Sequence, residues 1–260
     1  MDFDNKYGIL EAQKQLLDLL KSFHSFCRES GIDYSLAYGS LLGAIRHDGF
    51  IPWDDDLDVF VDRKNYDRLI EALEKSDGLM IERDSKSTLW VDRIRRKEEG
   101  RNPSSFLPTL DILVLDAIPA DAFLRRMKML LILTLQGMMK TKLRCTRGGV
   151  FYRISSAVTY FLGLLFPYKL KAKWYRRVSR IGESKGNGCL ANYNGEFSDL
   201  RHSYPASMME GLVEHEFEDT VALVTPDYDM CLKTQFGDYM VLPDEIDRKP
   251  RHGALKDDND

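Results

Sequence analysis

Four aspartates fall within five residues at the start of an apolar segment, and this combination limits what the chain can fold into. Residues 54–58 read Asp-Asp-Asp-Leu-Asp, and residues 57–61 have the apolar character of a buried strand. Carboxylates packed against a buried strand cost free energy unless a counter-charge accompanies them. Because hard oxygen ligands select Mg²⁺, Mn²⁺ or Ca²⁺, the pattern favours a divalent-cation site over a solvated acidic turn.

The spacing of these acids narrows the kind of cation site. A calcium-binding EF-hand loop that began at Asp54 would require Gly at its sixth position and Glu at its twelfth, where the chain has Val59 and Asn65. Side chains in a strand alternate between its two faces, so Asp56 and Asp58 are predicted to share one face. Two carboxylates on one face of a strand suit one or two Mg²⁺ ions.

Two features elsewhere in the sequence extend this candidate site. Asp111 is a lone acid within the apolar residues 109–114, and we favour a third carboxylate of the site over an exposed edge residue. Gly39 and Ser40 fall at a predicted strand-to-helix junction, where backbone N–H groups and a hydroxyl suit a phosphate. Together these features predict a site in which metal ions bridge a nucleoside diphosphate and align an incoming hydroxyl.

Hydrophobic periodicity predicts a mixture of helices and strands. Helices are predicted over 9–28, 41–46, 65–75 and 228–236, and strands over 32–37, 57–61, 79–83, 88–95, 110–115 and 221–224. Ser40 is predicted to cap the second of these helices. The Gly-rich residues 182–194 are predicted to form a loop, and residues 256–260 a disordered tail.

Charge is divided unevenly along the chain. Its 260 residues include 37 Lys or Arg and 41 Asp or Glu, yet residues 122–182 hold 14 of the basic residues and none of the acidic ones. Such asymmetry predicts contact with an anionic surface or polymer. No nucleic-acid partner is predicted, because no recognition motif accompanies the charge. A solvated helical face and a peripheral contact with an anionic membrane surface stay open as interpretations.

The remaining composition indicates a cellular location. The longest apolar runs fall short of the ~20 residues that a membrane span needs, and no basic start precedes an apolar stretch at residues 1–20. The four cysteines form no C-x-x-C pair, which argues against a zinc site or a disulfide framework. We therefore expect a cytoplasmic protein. A peripheral position at the inner face of the membrane is compatible with this expectation.

The motifs resemble one known family. Residues 38–58, YGSLLGAIRHDGFIPWDDDLD, closely resemble the signature of the LicD family, and residues 236–243, FGDYMVLP, resemble its C-terminal motif, with His252 following. Residues 122–182 match no part of that family in detail. The resemblance implies an α+β fold in which a nucleotidyltransferase-like mixed β-sheet core is flanked by helices, with a basic helical insertion.

This resemblance also implies an activity and a division of the chain. Members of the LicD family, like the related fukutin-related proteins, transfer a phospho-alcohol such as phosphocholine from a CDP-linked donor to a glycan. The expected enzyme is thus a phosphotransferase, dependent on Mg²⁺ or Mn²⁺, that modifies a cell-surface polysaccharide, a lipopolysaccharide or a lipid-linked precursor. We expect a catalytic core over 1–121, the basic insertion over 122–182, and a C-terminal part over 183–260 that packs back on the core.

The family's site residues carry over to particular positions of this chain. Asp56 and Asp58 correspond to the metal-binding pair. Asp111 corresponds to a third carboxylate, either a metal ligand or the base for the acceptor hydroxyl. Gly39 and Ser40 are expected to hold the donor phosphates.

Four basic side chains near these positions have two interpretations each. Arg46 and His47 either pin the loop that follows them, through Asp48 or a backbone carbonyl, or contact the phosphate and leaving group. Arg93 and Arg95 either lie on a solvated face of their strand or reach the donor phosphates.

Four neighbouring residues are assigned supporting positions. Asp54 and Asp55 are expected to orient the site rather than bind metal directly. Trp53 and Phe50 are expected to pack the loop rather than to form an aromatic cage around a quaternary ammonium.

Two other functions were compatible with parts of the sequence. Asp56-Leu57-Asp58 is also the kind of motif with which a metal-dependent glycosyltransferase binds a nucleotide sugar. A cation-binding interaction module would need the acids alone. The Gly-Ser junction and Asp111 favour the phosphotransferase over both alternatives.

Overall fold

The computed structural model describes residues 5–82, 91–97, 107–143, 149–195 and 199–250. Within these residues the helices are α1 (Leu10–Ser30), α2 (Tyr38–His47), α3 (Arg63–Lys75), α4 (Ala122–Met139), α5 (Val150–Leu164), α6 (Tyr168–Ser179) and α7 (Tyr228–Phe236). The strands are β1 (Ser35–Leu36), β2 (Asp58–Asp62), β3 (Leu79–Glu82), β4 (Asp92–Arg96), β5 (Leu110–Pro119), β6 (Gly186–Asn192), β7 (Tyr204–Pro205), β8 (Val213–Phe217) and β9 (Thr220–Val224). Short 3₁₀ helices cover Asp199–Arg201, Ala206–Met209 and Glu245–Asp247. The predicted α+β class is confirmed.

Two compact units share the chain. The first comprises residues 1–82, 92–114 and 207–260, and the second comprises residues 83–91 and 115–206. Strand β5 begins in the first unit and ends in the second. The domain boundaries predicted after residues 121 and 182 stay a prediction.

A sheet with the strand order β1-β2-β5-β4-β3 forms the centre of the first unit. β1 pairs antiparallel with β2, and β4 pairs antiparallel with β5, where Arg93 lies opposite Asp111. Between β5 and the residue before β2, the Asp111 N–H donates to the Leu57 carbonyl over 2.8 Å. The order therefore places the strand that follows the acidic run directly beside the strand that carries Asp111.

Helix α1 supplies an apolar face to the core of the first unit. Its buried apolar residues recur at helical spacing: Leu16, Leu19, Leu20, Phe23 and Cys27. Burial raises the pKa of the Cys27 thiol, so the side chain is neutral and packs as an apolar residue. Gly31 ends the helix in the left-handed conformation, with φ of 61°, and its N–H bonds the last carbonyls of α1.

A two-stranded hairpin, β8 and β9, completes the first unit. Its strands are antiparallel, with Phe217 opposite Thr220, and Glu218 in the turn has a positive φ of 57°. Just after β9, the Thr225 N–H donates to Ser35 Oγ over 2.9 Å. This bond ties the hairpin to strand β1.

The second unit combines the end of β5 with two further strands and three helices. β5 pairs antiparallel with β6, and β6 with β7. Its core draws on β5, α4, α6, β6 and the residues that follow β6: Ile118, Ile132, Leu135, Met138, Tyr175, Ala191, Tyr193 and Leu200. The ammonium of buried Lys128 donates to the Ala117 carbonyl over 2.9 Å and lies 3.9 Å from the centre of the Tyr193 ring. Both contacts compensate for the burial of this charge.

The basic stretch is helical, as the sequence predicts. Helices α4, α5 and α6 cover most of residues 122–182, and breaks fall near Gly149 and at Pro167. In the parts of the chain that the structure describes, no helix combines the length and apolarity required to cross a bilayer.

Two local predictions were wrong. Residues 182–194 were expected to form a loop, but they contain strand β6, in which Ala191 and Asn192 are buried beside β5. Backbone pairing to a neighbouring strand overrides the low strand propensity of the Gly- and Asn-rich sequence. Ser40 does not cap a helix, because α2 already begins at Tyr38 and its N-cap is Ala37.

Candidate active site

The acidic run is divided between two sides of the backbone. Asp54, Asp56 and Asp58 line one cleft, whereas Asp55 is only 2% exposed and Leu57 is fully buried. This alternation is what an extended segment imposes, since successive side chains point in opposite directions. The predicted common face of Asp56 and Asp58 is confirmed, and Asp54 shares their cleft.

The cleft brings together the two motifs on which the family resemblance depends. It has a volume of about 690 Å³. The first motif contributes Gly39, Leu42, Arg46, Ile51 and Trp53 to the lining, in addition to Asp54, Asp56 and Asp58. The second motif contributes Phe236, Asp238, Tyr239, Val241, Leu242 and Pro243. Lys249 completes the lining. Four carboxylates, a guanidinium and an ammonium therefore face a space large enough for a small organic phosphate.

Gly39 and Ser40 occupy the first turn of α2, beside the acids. A side chain at Gly39 would collide with the carboxylate of Asp54 as it is placed here, so the glycine permits this close approach. The Asp58 N–H donates to Ser40 Oγ over 2.9 Å, and Ser40 is 3% exposed. Ser40 thus fixes the start of β2. The backbone N–H groups of a first helical turn lack acceptors within their own helix, which suits an anion at this position.

Arg46 joins the first motif to the second. Its Nη1 donates to the Tyr239 carbonyl over 2.7 Å, and its Nε donates to His47 Nε2 over 3.0 Å. Burial and the neighbouring guanidinium of Arg248 lower the pKa of Arg46, and burial followed by the charge of Arg46 lowers the pKa of His47. His47 is consequently the neutral acceptor of this bond at pH 7. Arg46 pairs with a backbone carbonyl, which agrees with the loop-pinning interpretation. Arg46 also lines the cleft, where a ligand could reach it.

Glu218 and Gln13 hold the loop between α2 and β2. Glu218 accepts the Phe50 N–H over 2.9 Å, and its own N–H donates to the Asp48 carbonyl over 2.7 Å. On the other side, Gln13 Nε2 donates to the carbonyls of Ile51 and Asp54 over 3.1 and 2.9 Å. The loop that leads into the acidic run is therefore fixed by side chains from distant parts of the sequence.

Replacing Gln13 with Met is expected to loosen this loop. Gln13 is buried, and the substitution removes both donors while keeping the length of the side chain. The Ile51 carbonyl would keep the Asp54 N–H as a donor, but both carbonyls would lose their bond to Gln13, at a cost of about 1–3 kcal/mol in the free energy of unfolding. Urea denaturation measures the change. Gln15→Met on the same helix is the matched control, because the Gln15 amide contacts only Glu11 at an exposed position. Equal stability of the two variants would contradict the structural role of Gln13.

Trp53 and Phe50 pack against their surroundings, as predicted. The Trp53 ring lies 5.8 Å from that of Tyr7, and the Arg248 guanidinium is 5.6 Å from its centre. The Phe50 ring meets Phe217 edge-on, with 4.9 Å between centres. A protein cation already occupies a face of Trp53, so these contacts support loop packing.

Asp111 lies beside the acids but does not line their cleft. Arg93 Nε is 3.0 Å from Asp111 Oδ1 across the β4–β5 pair. Arg95 Nε is 3.1 Å from Glu82 Oε2 on β3. Both arginines thus have acidic partners on neighbouring strands. Their predicted role as phosphate ligands, and that of Asp111 as a third carboxylate, stay predictions.

The donors available for the predicted metal ion come from the acidic run. Among the described residues, no three His, Cys, Asp or Glu side chains are grouped closely enough to hold a metal ion by themselves. The donors that fit Mg²⁺ or Mn²⁺ are the oxygens of Asp54, Asp56 and Asp58, which all face the cleft. His252, noted after the second motif, lies outside the described residues.

Several residues of the site were not identified from the sequence. Asp238 and Lys249 line the cleft, and Gln13 and Glu218 support its loop. Asp238 falls inside the second motif, where a charged residue among apolar ones was the available signal. A single Gln or Glu within a helix or turn carries no such signal.

An α+β fold with an acidic cleft is the arrangement expected of a nucleotidyltransferase-like domain. Residues 31–101 match the sequence model of a family described as LicD/FKTN/FKRP, nucleotidyltransferase domain. This segment contains the whole first motif, with Arg46, and also Arg93 and Arg95.

One relative is similar along almost the whole chain. The lipopolysaccharide cholinephosphotransferase LicD of Haemophilus influenzae is 29% identical over 268 residues, which cover 95% of this chain and 97% of that protein. An uncharacterized protein of Rickettsia typhi is 44% identical over 55 residues, 21% of this chain and 18% of that protein. These comparisons confirm the predicted resemblance to the LicD family and support the prediction of a LicD-like phosphotransferase.

Proposed function

We propose that the chain transfers phosphocholine, or a related phospho-alcohol, from a CDP-linked donor to a hydroxyl of a cell-surface glycan or its lipid-linked precursor. The observation that carries the proposal is the meeting of both motifs in one cleft, where Asp54, Asp56 and Asp58 face Arg46 and Lys249. The similarity to a lipopolysaccharide cholinephosphotransferase supports this choice of substrate class.

The donor's two phosphates account for the mixed charge of the cleft. A nucleoside diphosphate needs cationic partners, and Arg46 and Lys249 supply them. The first turn of α2, at Gly39 and Ser40, offers backbone N–H groups to a phosphate oxygen. The three aspartates would repel such a ligand unless a cation lay between them and the phosphates.

Asp56 and Asp58 are the proposed ligands of Mg²⁺. In phosphoryl-transfer sites Mg²⁺ is usually held by one or two carboxylates together with substrate phosphates, so a cluster of three protein ligands is not required. When bound, the ion neutralises phosphate charge and favours in-line displacement. Asp54, held against Gly39, is proposed to orient this pair.

The reaction exchanges the phosphoanhydride bond of the donor for a phosphate ester bond to the acceptor. The acceptor hydroxyl oxygen forms a bond to the phosphorus next to the alcohol, and the bond from that phosphorus to the oxygen of CMP breaks. The hydroxyl proton passes to a carboxylate, for which Asp111 is proposed, and CMP leaves with the electron pair of the broken bond. Arg93, whose Nε lies 3.0 Å from Asp111 Oδ1, is proposed to orient this carboxylate.

Binding of the donor to the full chain tests the proposal directly. CDP-choline with Mg²⁺ is expected to raise the melting temperature, since a ligand at about 100 times its Kd adds about 2.7 kcal/mol to the free energy of unfolding. CDP-ethanolamine, CMP and UDP-glucose are measured in parallel, each with Mg²⁺ and with EDTA.

The pattern of stabilisation decides between the functions. The proposed transfer is supported if a CDP-alcohol raises the melting temperature with Mg²⁺ and EDTA abolishes this increase. A response to UDP-glucose alone would replace it with the glycosyltransferase alternative. An absence of any response to nucleotides would refute a nucleotide-linked donor.

A further inference from the structure

Helix α5 presents an apolar stripe to solvent. Val150, Ile154, Val158 and Phe161, together with Leu165 directly after the helix, are 59–74% exposed. Their spacing of four, four, three and four residues places all five on one face. A continuous exposed apolar face of this kind marks an interaction surface, whereas single exposed apolar residues do not.

The opposite side of α5 is tightly fixed by α4. A side chain at Gly137 would collide with Thr159, and one at Gly163 would collide with the backbone of Met138. Such contacts bring the two helices close together, and they leave the stripe on the outer side of the pair. Its exposure therefore results from a definite orientation of α5.

Two lysines strengthen this orientation. Lys140 Nζ donates to Ser156 Oγ over 2.8 Å. From α6, Lys171 Nζ donates to the carbonyls of Met138 and Gly163 over 3.0 and 2.9 Å. Part of the positive charge of this unit thus serves to hold its helices together.

Other basic residues of the same three-helix segment face solvent. Exposed members are Lys142, Arg153, Lys169, Lys173, Arg176 and Arg177. No Asp or Glu occurs between residues 122 and 182 to neutralise them. The helical segment that carries the apolar stripe therefore has a positive charge that no acidic residue of the same segment balances.

We infer that α5 docks on an anionic lipid bilayer, lying in its surface with the apolar stripe towards the acyl chains. Apolar side chains together with Lys and Arg are the combination that binds helices to such interfaces. A second copy of this chain is a poorer occupant, because it would bring two strongly basic surfaces together. The inference goes beyond the proposed function, since it involves neither the cleft nor a donor.

Sedimentation with lipid vesicles tests the docking without reference to activity. The full chain is mixed at low salt with vesicles of phosphatidylcholine and phosphatidylglycerol, or of phosphatidylcholine alone. The double variant Ile154→Glu, Phe161→Glu is expected to lower partitioning onto the anionic vesicles by at least about tenfold, because two apolar side chains no longer leave water. Ile246→Glu is the matched control: this residue is 80% exposed on a 3₁₀ helix of the other unit, and its variant is expected to bind normally.

A second variant separates charge from apolar contact. Arg176→Gln with Arg177→Gln keeps the stripe and is expected to weaken binding to anionic vesicles, with the deficit smaller at high salt. All substituted positions are exposed, so melting temperatures should remain near that of the unmodified chain.

Several results would overturn the inference. One is the absence of sedimentation of the unmodified chain with anionic vesicles at low salt. Another is equal binding by the Ile154→Glu, Phe161→Glu variant and the unmodified chain. A dimer in light scattering that this variant converts to a monomer, without vesicle binding by either protein, would assign the stripe to a second copy instead.

Discussion

Asp56→Asn and Asp58→Asn are each expected to reduce phospho-alcohol transfer by at least about 100-fold while the chain remains folded. Both carboxylates face the cleft, and neither amide replacement can supply the negative charge that Mg²⁺ requires. The substitutions are nearly isosteric, so no packing is lost. Release of CMP, measured with a glycan acceptor across a range of Mg²⁺ concentrations, gives the turnover.

Asp77→Asn provides the matched control for this pair. Asp77 is exposed in the turn after α3 and does not line the cleft, so its variant should retain full activity. Mg²⁺ with CDP-choline should raise the melting temperature of this control but not those of the two cleft variants. Turnover close to that of the unmodified chain in either cleft variant, insensitive to EDTA, would refute the metal mechanism.

Gly43→Ala is expected to destabilise the first unit by about 1–3 kcal/mol and to impair the site as well. The new methyl group would collide with the Gly49 carbonyl and lie 3.2 Å from the Ile51 nitrogen. Both are backbone atoms, so no change of side-chain rotamer relieves the contact. The loop must move instead, and it leads directly into the acidic run.

Gly78→Ala makes the same chemical change without the contact. A Cβ at Gly78 would have no atom of the described residues within 4 Å. Its stability to urea should match that of the unmodified chain or exceed it slightly, because alanine lowers the entropy of the unfolded state. If Gly43→Ala and Gly78→Ala unfold at the same urea concentration, the close approach of α2 to the loop is not present in solution.

Local and periodic features of the structure were the ones that the sequence predicted well. Helix α7 covers the predicted residues 228–236, and α1 lies within two residues of its predicted bounds. The shared face of Asp56 and Asp58 followed from strand geometry alone. In each case neighbours along the chain determine the result, so a pattern of apolar and polar residues contains the information.

Features that depend on distant partners were not predictable in this way. Strand β6 exists because β5 offers it a backbone partner, although its own sequence favours a loop. Gln13 and Glu218 each support the acidic loop through two hydrogen bonds, from at least 38 and 168 residues away. One polar residue in a helix or turn has no periodic signature, and only the folded structure identifies what it contacts.

The bond from Arg46 to the Tyr239 carbonyl joins residues that are 193 positions apart. Asp54, Asp56 and Asp58 lie in the first quarter of the chain, but the wall opposite them, which includes Asp238, is made by residues translated near its end. During synthesis the ribosome therefore releases the acidic loop long before the residues that enclose it. Closing so long a loop of chain costs conformational entropy, and only the contacts formed when the second motif docks compensate for that loss. The site is consequently acquired as one of the last events of biogenesis, so a nascent chain with Asp54, Asp56 and Asp58 in place would still lack the wall that encloses a ligand of the cleft.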